Sequence, residues 1–571
     1  MLKDAMALAV SFVATQMVSP LKVFAGDTKK MLVDRVGNPL RFPPVFTNGG
    51  TMTLAETNVQ VWPNQTTKVN AINNSYPSPT VRIKKGETFS ATFVNQLTEE
   101  STIHWHGLDV PTAMDGHPMD AVAPGNSFTY TFPIINRPGT YFYHSHAHEL
   151  TGKQVYRGFA GFFIVEDENN SLGLPTGNFD IPLLIQDRRS QHVPQFTYNP
   201  NMMETMTGFL GDKPLINGTP DAYFEVSKTL YRFRILNGSN ARVYKIGFSD
   251  NSPFHIIATD GGLKDEAVKA TSFMLAPASR VEILMDFSQH ALSQSVTLKS
   301  LPFAEGGGTQ GIELNLLRFD ITGTQNSGGV VPNSMPPIQY YNPIEVVKKR
   351  DFVLTMVMGG GGGMHRINGR VFGMHRIDEE INLNDLEEWH IINNDNDEFH
   401  PMHIHGLLFQ ILSRNGNLNL LPEDKGWKDT VLLNPSEKIK VLVKFKTYSG
   451  IYLFHCHNLE HENDGMMMNF RVKQSNNVVD KNIPTKFELH QNYPNPFNPS
   501  TTIEFTLSET SEVKLEVYDM LGKKIETLVN KELSVGTHKI KFDGSRLANG
   551  NYIYKIQTPK FSSSRVMNLI K

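Results

Sequence analysis

Cys456 is the only cysteine in the 571 residues of the chain, and it lies between two histidines, His455 and His457. A lone thiol in this setting is typical of a metal ligand rather than of half a disulfide. The preceding stretch, residues 449–454, is aromatic and β-branched and predicts a strand, in which side chains alternate between faces. The two imidazoles should then point one way and the thiol the other. One short segment could therefore serve two metal sites at once.

The chain carries candidates for completing a site on the thiol side. A thiolate, two imidazoles and a weak axial thioether form the trigonal blue-copper electron-transfer site. His461 and Met466 follow Cys456 by five and ten residues. The second imidazole is expected from His400, since its parity along the predicted strand is opposite to that of the histidines at 403 and 405.

Two more histidine pairs lie nearer the N-terminus, His104 with His106 and His144 with His146. Residues 139–143, just before the second pair, nearly repeat residues 450–454, so the chain repeats itself. Ser145 stands where the C-terminal copy has its cysteine. A blue site should therefore exist only in the C-terminal copy.

The four histidine motifs, taken in order, resemble those of the multicopper oxidases. The resemblance spans about residues 35 to 474 and is nearest to the three-domain bacterial laccases and cuprous oxidases. Residues 426–431, Gly-Trp-Lys-Asp-Thr-Val, are similar to a stretch that those enzymes carry between their last two motifs. The resemblance implies four copper ions, one of type 1, one of type 2 and two of type 3.

The family pattern, carried over position by position, leaves no ligand missing. It assigns the type 1 copper to His400, Cys456, His461 and axial Met466. It assigns the type 2 copper to His104 and His403. It assigns the type 3 pair to His106, His144, His146, His405, His455 and His457.

The resemblance also implies a reaction, in which single electrons from a substrate are collected and dioxygen is reduced to water. The expected substrates are phenols and aromatic amines, and a methionine axial ligand favours the easily oxidised ones. Asp115 and Glu462 match the acidic positions that the family uses to deliver protons. A cuprous oxidase that acts in copper tolerance is the alternative. A copper-binding electron carrier is the alternative from another class, although a carrier needs only the type 1 ligands.

Residues near the expected substrate site leave the phenol and Cu(I) alternatives open. Residues 356–365 hold too little thioether for a dedicated cuprous-ion funnel. Asp395, Asp397 and Glu398 could receive Cu(I) or orient a phenol, or could form a solvated acidic loop. The cluster Met202, Met203 and Met206 predicts core packing, since methionine fills gaps. His117 and His148 fit no ligand position.

Bulk composition favours an all-β protein. The chain has 44 glycines and 33 prolines for turns, and its strand-like segments alternate. The expected architecture is three cupredoxin-like Greek-key β-sandwich domains, at residues 26–170, 171–325 and 340–474, plus a small C-terminal β-sandwich. The net charge of −3 is too small to indicate nucleic acid or a membrane surface as a partner.

Both ends of the chain indicate export. Residues 1–25 have the pattern of a signal peptide, with Lys3 before an apolar run and a small-residue cleavage site at Ala25. Residues 485–571 resemble the type A sorting domains of the type IX secretion system, with a Tyr-Pro-Asn-Pro opening at 493–496 and a closing Asn-Gly-Asn-Tyr-Ile-Tyr at 549–554. Secretion machinery is then a partner. The protein should reach the extracellular space or the outer cell surface, or the periplasm if the sorting function is absent.

Overall fold

The computed structural model describes residues 36–166, 171–307, 309–357, 364–474, 487–508, 511–533 and 536–571. The predicted signal peptide and the glycine run at 359–363 lie outside the described residues. Strands make up 49% of the described residues and helices 6%, which confirms the all-β prediction. The strands form eight sheets, arranged as four two-sheet sandwiches in chain order.

The first sandwich carries the two N-terminal histidine pairs. Its sheets have the strand orders β2-β5-β10-β9-β7 and β4-β3-β6-β8. The strands up to residue 166 are β1 Asn38–Pro39, β2 Val45–Phe46, β3 Thr51–Val59, β4 Thr67–Ile72, β5 Thr80–Lys84, β6 Thr88–Asn95, β7 Ile103–His106, β8 Ser127–Pro133, β9 Gly139–Ser145 and β10 Ala160–Glu166. A short helix, α1 (Thr151–Tyr156), follows β9.

The second sandwich has sheets of six and seven strands, ordered β1-β14-β22-β21-β16-β19 and β13-β12-β11-β15-β20-β17-β18. Its helix α2 spans Met202–Thr207. Its strands are β11 Asp180–Arg188, β12 Lys213–Ile216, β13 Thr219–Pro220, β14 Ala222–Ser227, β15 Leu230–Asn237, β16 Tyr244–Phe248, β17 Phe254–Thr259, β18 Gly262–Ala270, β19 Ser272–Leu275, β20 Arg280–Asp286, β21 Ser295–Ser300 and β22 Leu314–Gly323.

The strand β1 lies in the second sandwich, although the sequence assigns its residues to the first domain. It pairs in parallel with β14, and Asn38 N donates to Asp221 O over 3.0 Å. Gly37 allows this approach, since a Cβ there would lie 2.5 Å from the same carbonyl oxygen. The N-terminal strand therefore ties the first two sandwiches together.

The third sandwich carries the cysteine. Its sheets are ordered β24-β23-β26-β30-β28 and β25-β32-β31-β27-β29. Its helix α3 spans Leu459–Asn463. Its strands are β23 Lys348–Met356, β24 His365–Ile367, β25 Glu379–Asn382, β26 Glu387–Asn393, β27 His400–Ile404, β28 Gln410–Arg414, β29 Thr430–Leu433, β30 Lys438–Val443, β31 Gly450–Cys456 and β32 Met467–Lys473.

The C-terminal sandwich has sheets ordered β33-β34-β37 and β36-β35-β38-β39. Its strands are β33 Glu488–Leu489, β34 Ser500–Leu507, β35 Ser511–Asp519, β36 Lys524–Leu533, β37 Gly536–Asp543, β38 Gly550–Gln557 and β39 Ser562–Leu569. Along β34 every second residue is buried, which gives this unit its own apolar core. Within the described part of the chain, no helix is long and apolar enough to cross a membrane.

Candidate metal centres

Two pairs of neighbouring strands place the histidine motifs side by side. In the first sandwich β7 pairs with β9, and His104 lies opposite His144. In the third, β27 pairs with β31, and His403 lies opposite His455. The two ladders face each other across the seam between these sandwiches. They bring together eight buried imidazoles, those of His104, His106, His144, His146, His403, His405, His455 and His457.

Ring nitrogens of these eight histidines face one another in three groups. His104 Nε2 lies 3.3 Å from His403 Nε2. In the second group, His144 Nε2 lies 3.3 Å from both His106 Nδ1 and His457 Nε2. In the third, His455 Nε2 lies 3.3 Å from His146 Nε2 and 3.1 Å from His405 Nε2. Every group joins residues of the first sandwich to residues of the third.

The facing nitrogens carry lone pairs. On six of the eight rings the opposite nitrogen bonds an oxygen; for example, His104 Nδ1 donates to Asp115 O and His403 Nδ1 to Asp429 O, both over 2.8 Å. Burial lowers the pKa of the histidines at 144 and 146 to about 4 and about 3, so these rings are neutral near pH 7. Lone pairs held about 3 Å apart in a dry site repel each other unless a cation lies between them. The donor set fits imidazole-bound copper.

A second donor cluster lies on the other face of β31. Cys456 Sγ is 3.6 Å from His400 Nδ1 and 3.7 Å from His461 Nδ1, and these two nitrogens are 3.2 Å apart. Met466 is fully buried beside them, and its N–H donates to His461 O over 2.9 Å. Burial raises the pKa of the Cys456 thiol well above its usual value. A thiolate here requires a bound cation, and a thiolate with two imidazoles fits copper.

The Nε2 atoms of His400 and His461, which point away from the thiol, also make hydrogen bonds. His400 Nε2 donates to Asp395 Oδ2 over 2.9 Å, so Asp395 is not part of a solvated loop, while Asp397 is exposed. His461 Nε2 donates to the Met206 carbonyl of α2 over 2.8 Å. The helix α2 thus covers the His461 ring. Burial raises the pKa of Glu398 to about 8.

The expectation that Met202, Met203 and Met206 pack in a core is wrong for the first two, while Met206 is half-buried. Met202 is 60% exposed and Met203 62% exposed. The α2 backbone is fixed by a capping box of Asn201 and Glu204 and by the ion pair of Glu204 with Arg189, which hold the helix with this face in solvent. Exposed thioethers therefore lie on the helix that covers His461.

Asp115 and Glu462 both lie beside the eight-histidine cluster. Asp115 Oδ2 accepts from His405 Nδ1 over 2.8 Å, and its Oδ1 has no hydrogen-bond partner among the described residues. Burial raises the pKa of Asp115 well above its usual value. Glu462 Oε2 lies 3.2 Å from His455 Nδ1, and its Oε1 lies 3.6 Å from His146 Nδ1. Burial alone would raise the pKa of Glu462, but these two imidazoles outweigh burial and lower it.

The two histidines expected to be non-ligands lie outside both clusters. His117 Nε2 bonds Asn469 Oδ1 over 2.8 Å, and its Nδ1 accepts from Met119 N. His148 is partly exposed and packs edge-on against Phe372.

Sequence reasoning missed several residues that touch these clusters. His365 is buried and stacks on His461 with ring centroids 3.9 Å apart. Asp429 Oδ1 accepts from His106 Nε2 over 3.1 Å and pairs with Arg280 of β20. Asp429 stands inside the Gly-Trp-Lys-Asp-Thr-Val stretch, which was a usable signal. No local pattern marks Arg280 or His365.

Comparison with known proteins agrees with this geometry. Residues 53–170 and 340–476 match family profiles described as multicopper oxidase, and residues 491–568 match one described as secretion system C-terminal sorting domain. The multicopper oxidase mco of Staphylococcus epidermidis is 32% identical over 462 residues, which are 78% of this chain and 95% of that protein. The laccase of Bacillus subtilis is 29% identical over 468 residues, covering 70% and 89%.

A solved structure has a similar fold. The crystal structure of the McoA multicopper oxidase from the hyperthermophile Aquifex aeolicus is similar with a TM-score of 0.71 and 36% identity, over 76% of this chain and 99% of that one. The chain therefore belongs to the multicopper oxidase family, whose members bind four copper ions, and it carries a C-terminal secretion sorting domain.

Proposed function

We propose that the protein is a laccase-type oxidase, which takes single electrons from phenols or aromatic amines and reduces dioxygen to water. The observation that carries this proposal is the double use of β31. Cys456 faces one donor cluster while His455, its neighbour in the chain, faces the other. The two clusters are thus joined by adjacent residues, so an electron accepted at the thiol side has a short covalent route to the histidine side.

The proposed ligand roles follow the three groups of facing nitrogens and the thiol cluster. Cys456, His400, His461 and Met466 would hold type 1 copper, supported by the convergence of the sulfur and two Nδ1 atoms. Type 2 copper takes His104 and His403. The type 3 coppers take two sets of three, His106 with His144 and His457, and His146 with His405 and His455. When bound, the type 1 copper accepts single electrons from substrate and the other three coppers reduce dioxygen with four.

Four protons must accompany the four electrons, and we assign their delivery to Asp115 and Glu462. Each carboxylate lies against the outward nitrogen of a proposed ligand, with oxygen atoms within 2.8 and 3.2 Å of His405 and His455. The free Oδ1 of Asp115 can hold a proton inside the buried site. Asp115, whose pKa is raised, can hold the proton that it donates, whereas Glu462, whose pKa is lowered, would first take up a proton as a base and then donate it.

The exposed methionines of α2 support a second candidate, a cuprous oxidase. Met202 and Met203 expose their side chains on α2, and the Met206 carbonyl of the same helix accepts from His461. Thioethers prefer Cu(I) to harder cations. Cu(I) held at this helix would lose one electron and leave as Cu(II).

One preparation of the copper-loaded enzyme separates the two candidates. Oxygen uptake should be faster with a phenol than with Cu(I), and a strong preference for Cu(I) would reverse our ranking. The double variant M202L/M203L should leave phenol oxidation unchanged, and it should slow Cu(I) oxidation only if the cuprous candidate is right. Met520→Leu is the matched control, since Met520 is also exposed but belongs to the C-terminal sandwich. No oxygen uptake with either donor would refute the oxidase function altogether.

We further propose that the functional units are three cupredoxin domains at 26–170, 171–325 and 340–474, a sorting domain at 485–571 and a removable signal peptide at 1–25. The match of residues 491–568 supports export and attachment to, or release from, the outer cell surface. Finding the mature enzyme in the periplasm of an intact producing cell would contradict the surface location. Deleting residues 487–571 should leave oxidase activity intact and abolish surface delivery.

A further inference from the structure

Arg280, at the start of β20, is fully buried where three sandwiches meet. Its Nε donates to Thr140 O of β9 over 2.9 Å. Its Nη1 donates to Ala278 O over 2.9 Å and to Asp429 Oδ1 over 2.8 Å. Its Nη2 donates to Asp260 O over 3.0 Å and to Asp429 Oδ2 over 2.5 Å. These contacts use all five guanidinium N–H groups, so the side chain has a single geometry.

Asp429, the partner of Arg280, reaches the histidine cluster directly. Its Oδ1 accepts from His106 Nε2 over 3.1 Å and from Thr430 Oγ1 over 3.0 Å. Its main-chain oxygen accepts from His403 Nδ1 over 2.8 Å. One residue therefore orients an imidazole of the first sandwich and an imidazole of the third.

His106 differs from the other seven clustered histidines. It faces its neighbours with Nδ1, whereas the other seven face theirs with Nε2. A neutral imidazole carries one proton, and a hydrogen bond to one nitrogen decides which nitrogen keeps its lone pair. The carboxylate of Asp429 holds the proton of His106 on Nε2. The lone pair is left on Nδ1, 3.3 Å from His144 Nε2.

Neighbouring residues hold the ion pair of Arg280 and Asp429 in place. A second carboxylate, Asp260, accepts from Arg280 N over 2.8 Å and pairs with Lys428 Nζ at 2.8 Å, so two cations balance two anions. Gly107, directly after His106, has φ +84°, and a Cβ there would lie 2.3 Å from Asp429 Oδ2. Any side chain at this position would push the pair away from the ring.

We propose that Arg280 and Asp429 are positioning residues that impose the reversed ring orientation of His106 and thereby complete the three-copper cluster. The inference rests on the proposed ligand role of His106. The proposal gives the second sandwich a role in the cluster. Among the described residues, this sandwich supplies no side chain to either donor cluster. Its contribution is the guanidinium that fixes Asp429.

The test replaces Asp429 by Asn in the full-length, copper-loaded protein. An amide cannot accept from both Arg280 nitrogens and also from His106, so its NH₂ opposes one of them. Loss of a partner to a metal-bound histidine weakens metal binding by about 10- to 100-fold. We expect copper of the cluster to leave at correspondingly lower chelator concentrations and the type 2 electron paramagnetic resonance signal to change. The blue absorbance of the cysteine site should stay.

Two further variants act as controls. Arg234→Gln removes another buried arginine of the middle sandwich, which pairs with Asp180 and Glu282 and touches none of the eight rings. It should lower stability without changing copper retention. Asp395 accepts from His400 Nε2 with one oxygen and from Met356 N with the other, so Asp395→Asn removes the charge and leaves one oxygen for two donors; it should disturb the blue site while sparing the cluster.

The outcomes are distinct. Unchanged cluster retention in Asp429→Asn, or equal loss of copper from both sites, would overturn the proposal. If Asp429→Asn does not fold, Arg280→Lys keeps the charge but loses the two-pronged contact, and the same selective loss is expected; retention like that of the unaltered protein would again overturn the inference. A wild-type protein that binds no cluster copper would instead refute the proposed function.

Discussion

The strands β9 and β31 occupy the same place in the first and third sandwiches, yet only β31 has a donor cluster on both faces. Both place their flanking histidines into the shared cluster. On the other face, Ser145 Oγ of β9 donates to Gln154 Oε1 of α1 over 2.6 Å, while Cys456 faces His400 and His461. The short helix that follows each strand thus brings an amide in one copy and an imidazole in the other. The two copies therefore differ in the strand and in its helix together, and only the copy with both a thiol and an imidazole gathers a second donor cluster.

The largest effect is expected from Cys456→Ser, which makes the third sandwich resemble the first. A hydroxyl is a poor copper ligand next to two imidazoles, so the intense blue absorbance and substrate oxidation should both be lost. Elemental analysis should still find copper in the histidine cluster. A variant that keeps its blue colour would refute the ligand role of Cys456.

The next effect in size is expected from Glu462→Gln, since Glu462 lies against one histidine of each copy. Loss of a positioned acid should lower oxygen reduction by about 100-fold or more. Reduction of the blue site by a phenol without oxygen should keep its rate, as stopped-flow absorbance would measure. Asp115→Asn should behave in the same way.

Glu460→Gln is the matched control for Glu462. Glu460 is also buried on α3, but it accepts from Tyr198, Asn240 and the N–H of Phe209 and touches no imidazole. We expect a loss of about 1–3 kcal/mol in the free energy of unfolding and an unchanged turnover. Equal turnover losses in both glutamine variants would contradict the proton role of Glu462.

A smaller effect is expected from Ser145→Cys, which gives the first sandwich a thiol. No second blue absorbance should appear, because Gln154 and not an imidazole faces this position. The weaker thiol hydrogen bond should cost about 1 kcal/mol of stability. A second blue band in the copper-loaded variant would show that the cysteine alone makes the site.

The smallest effect is expected from Ser145→Ala. Gln154 Oε1 keeps the hydroxyl of Ser101 as a donor over 2.7 Å, so no buried acceptor is left unpaired. The loss should be about 1 kcal/mol in a denaturant titration, with copper content unchanged. A change in copper content would mean that this hydroxyl also orients the flanking histidines.

The sequence predicted the all-β sandwiches and singled out the histidines that the structure gathers into two clusters, because alternation along a strand is a local property. It placed His455 and Cys456 on opposite faces in this way. It could not find Arg280, whose partner Asp429 lies 149 residues away and is joined to it only by packing of two sandwiches. Met202 and Met203 were misjudged because burial depends on how the helix docks, which residue type alone does not decide. The pairing of β1 with β14 was missed for the same reason.

The seam between the first and third sandwiches also bears on when the metal can enter. Each group of facing nitrogens needs a residue from both sides; His104 and His403 are 299 residues apart, and His146 and His455 are 309. An unfinished or still unfolded chain therefore has no cluster to load. Copper bound between these nitrogens would therefore require that the third sandwich has already closed on the first, so the last of the cluster's ligands in the chain decide when the cluster can be loaded.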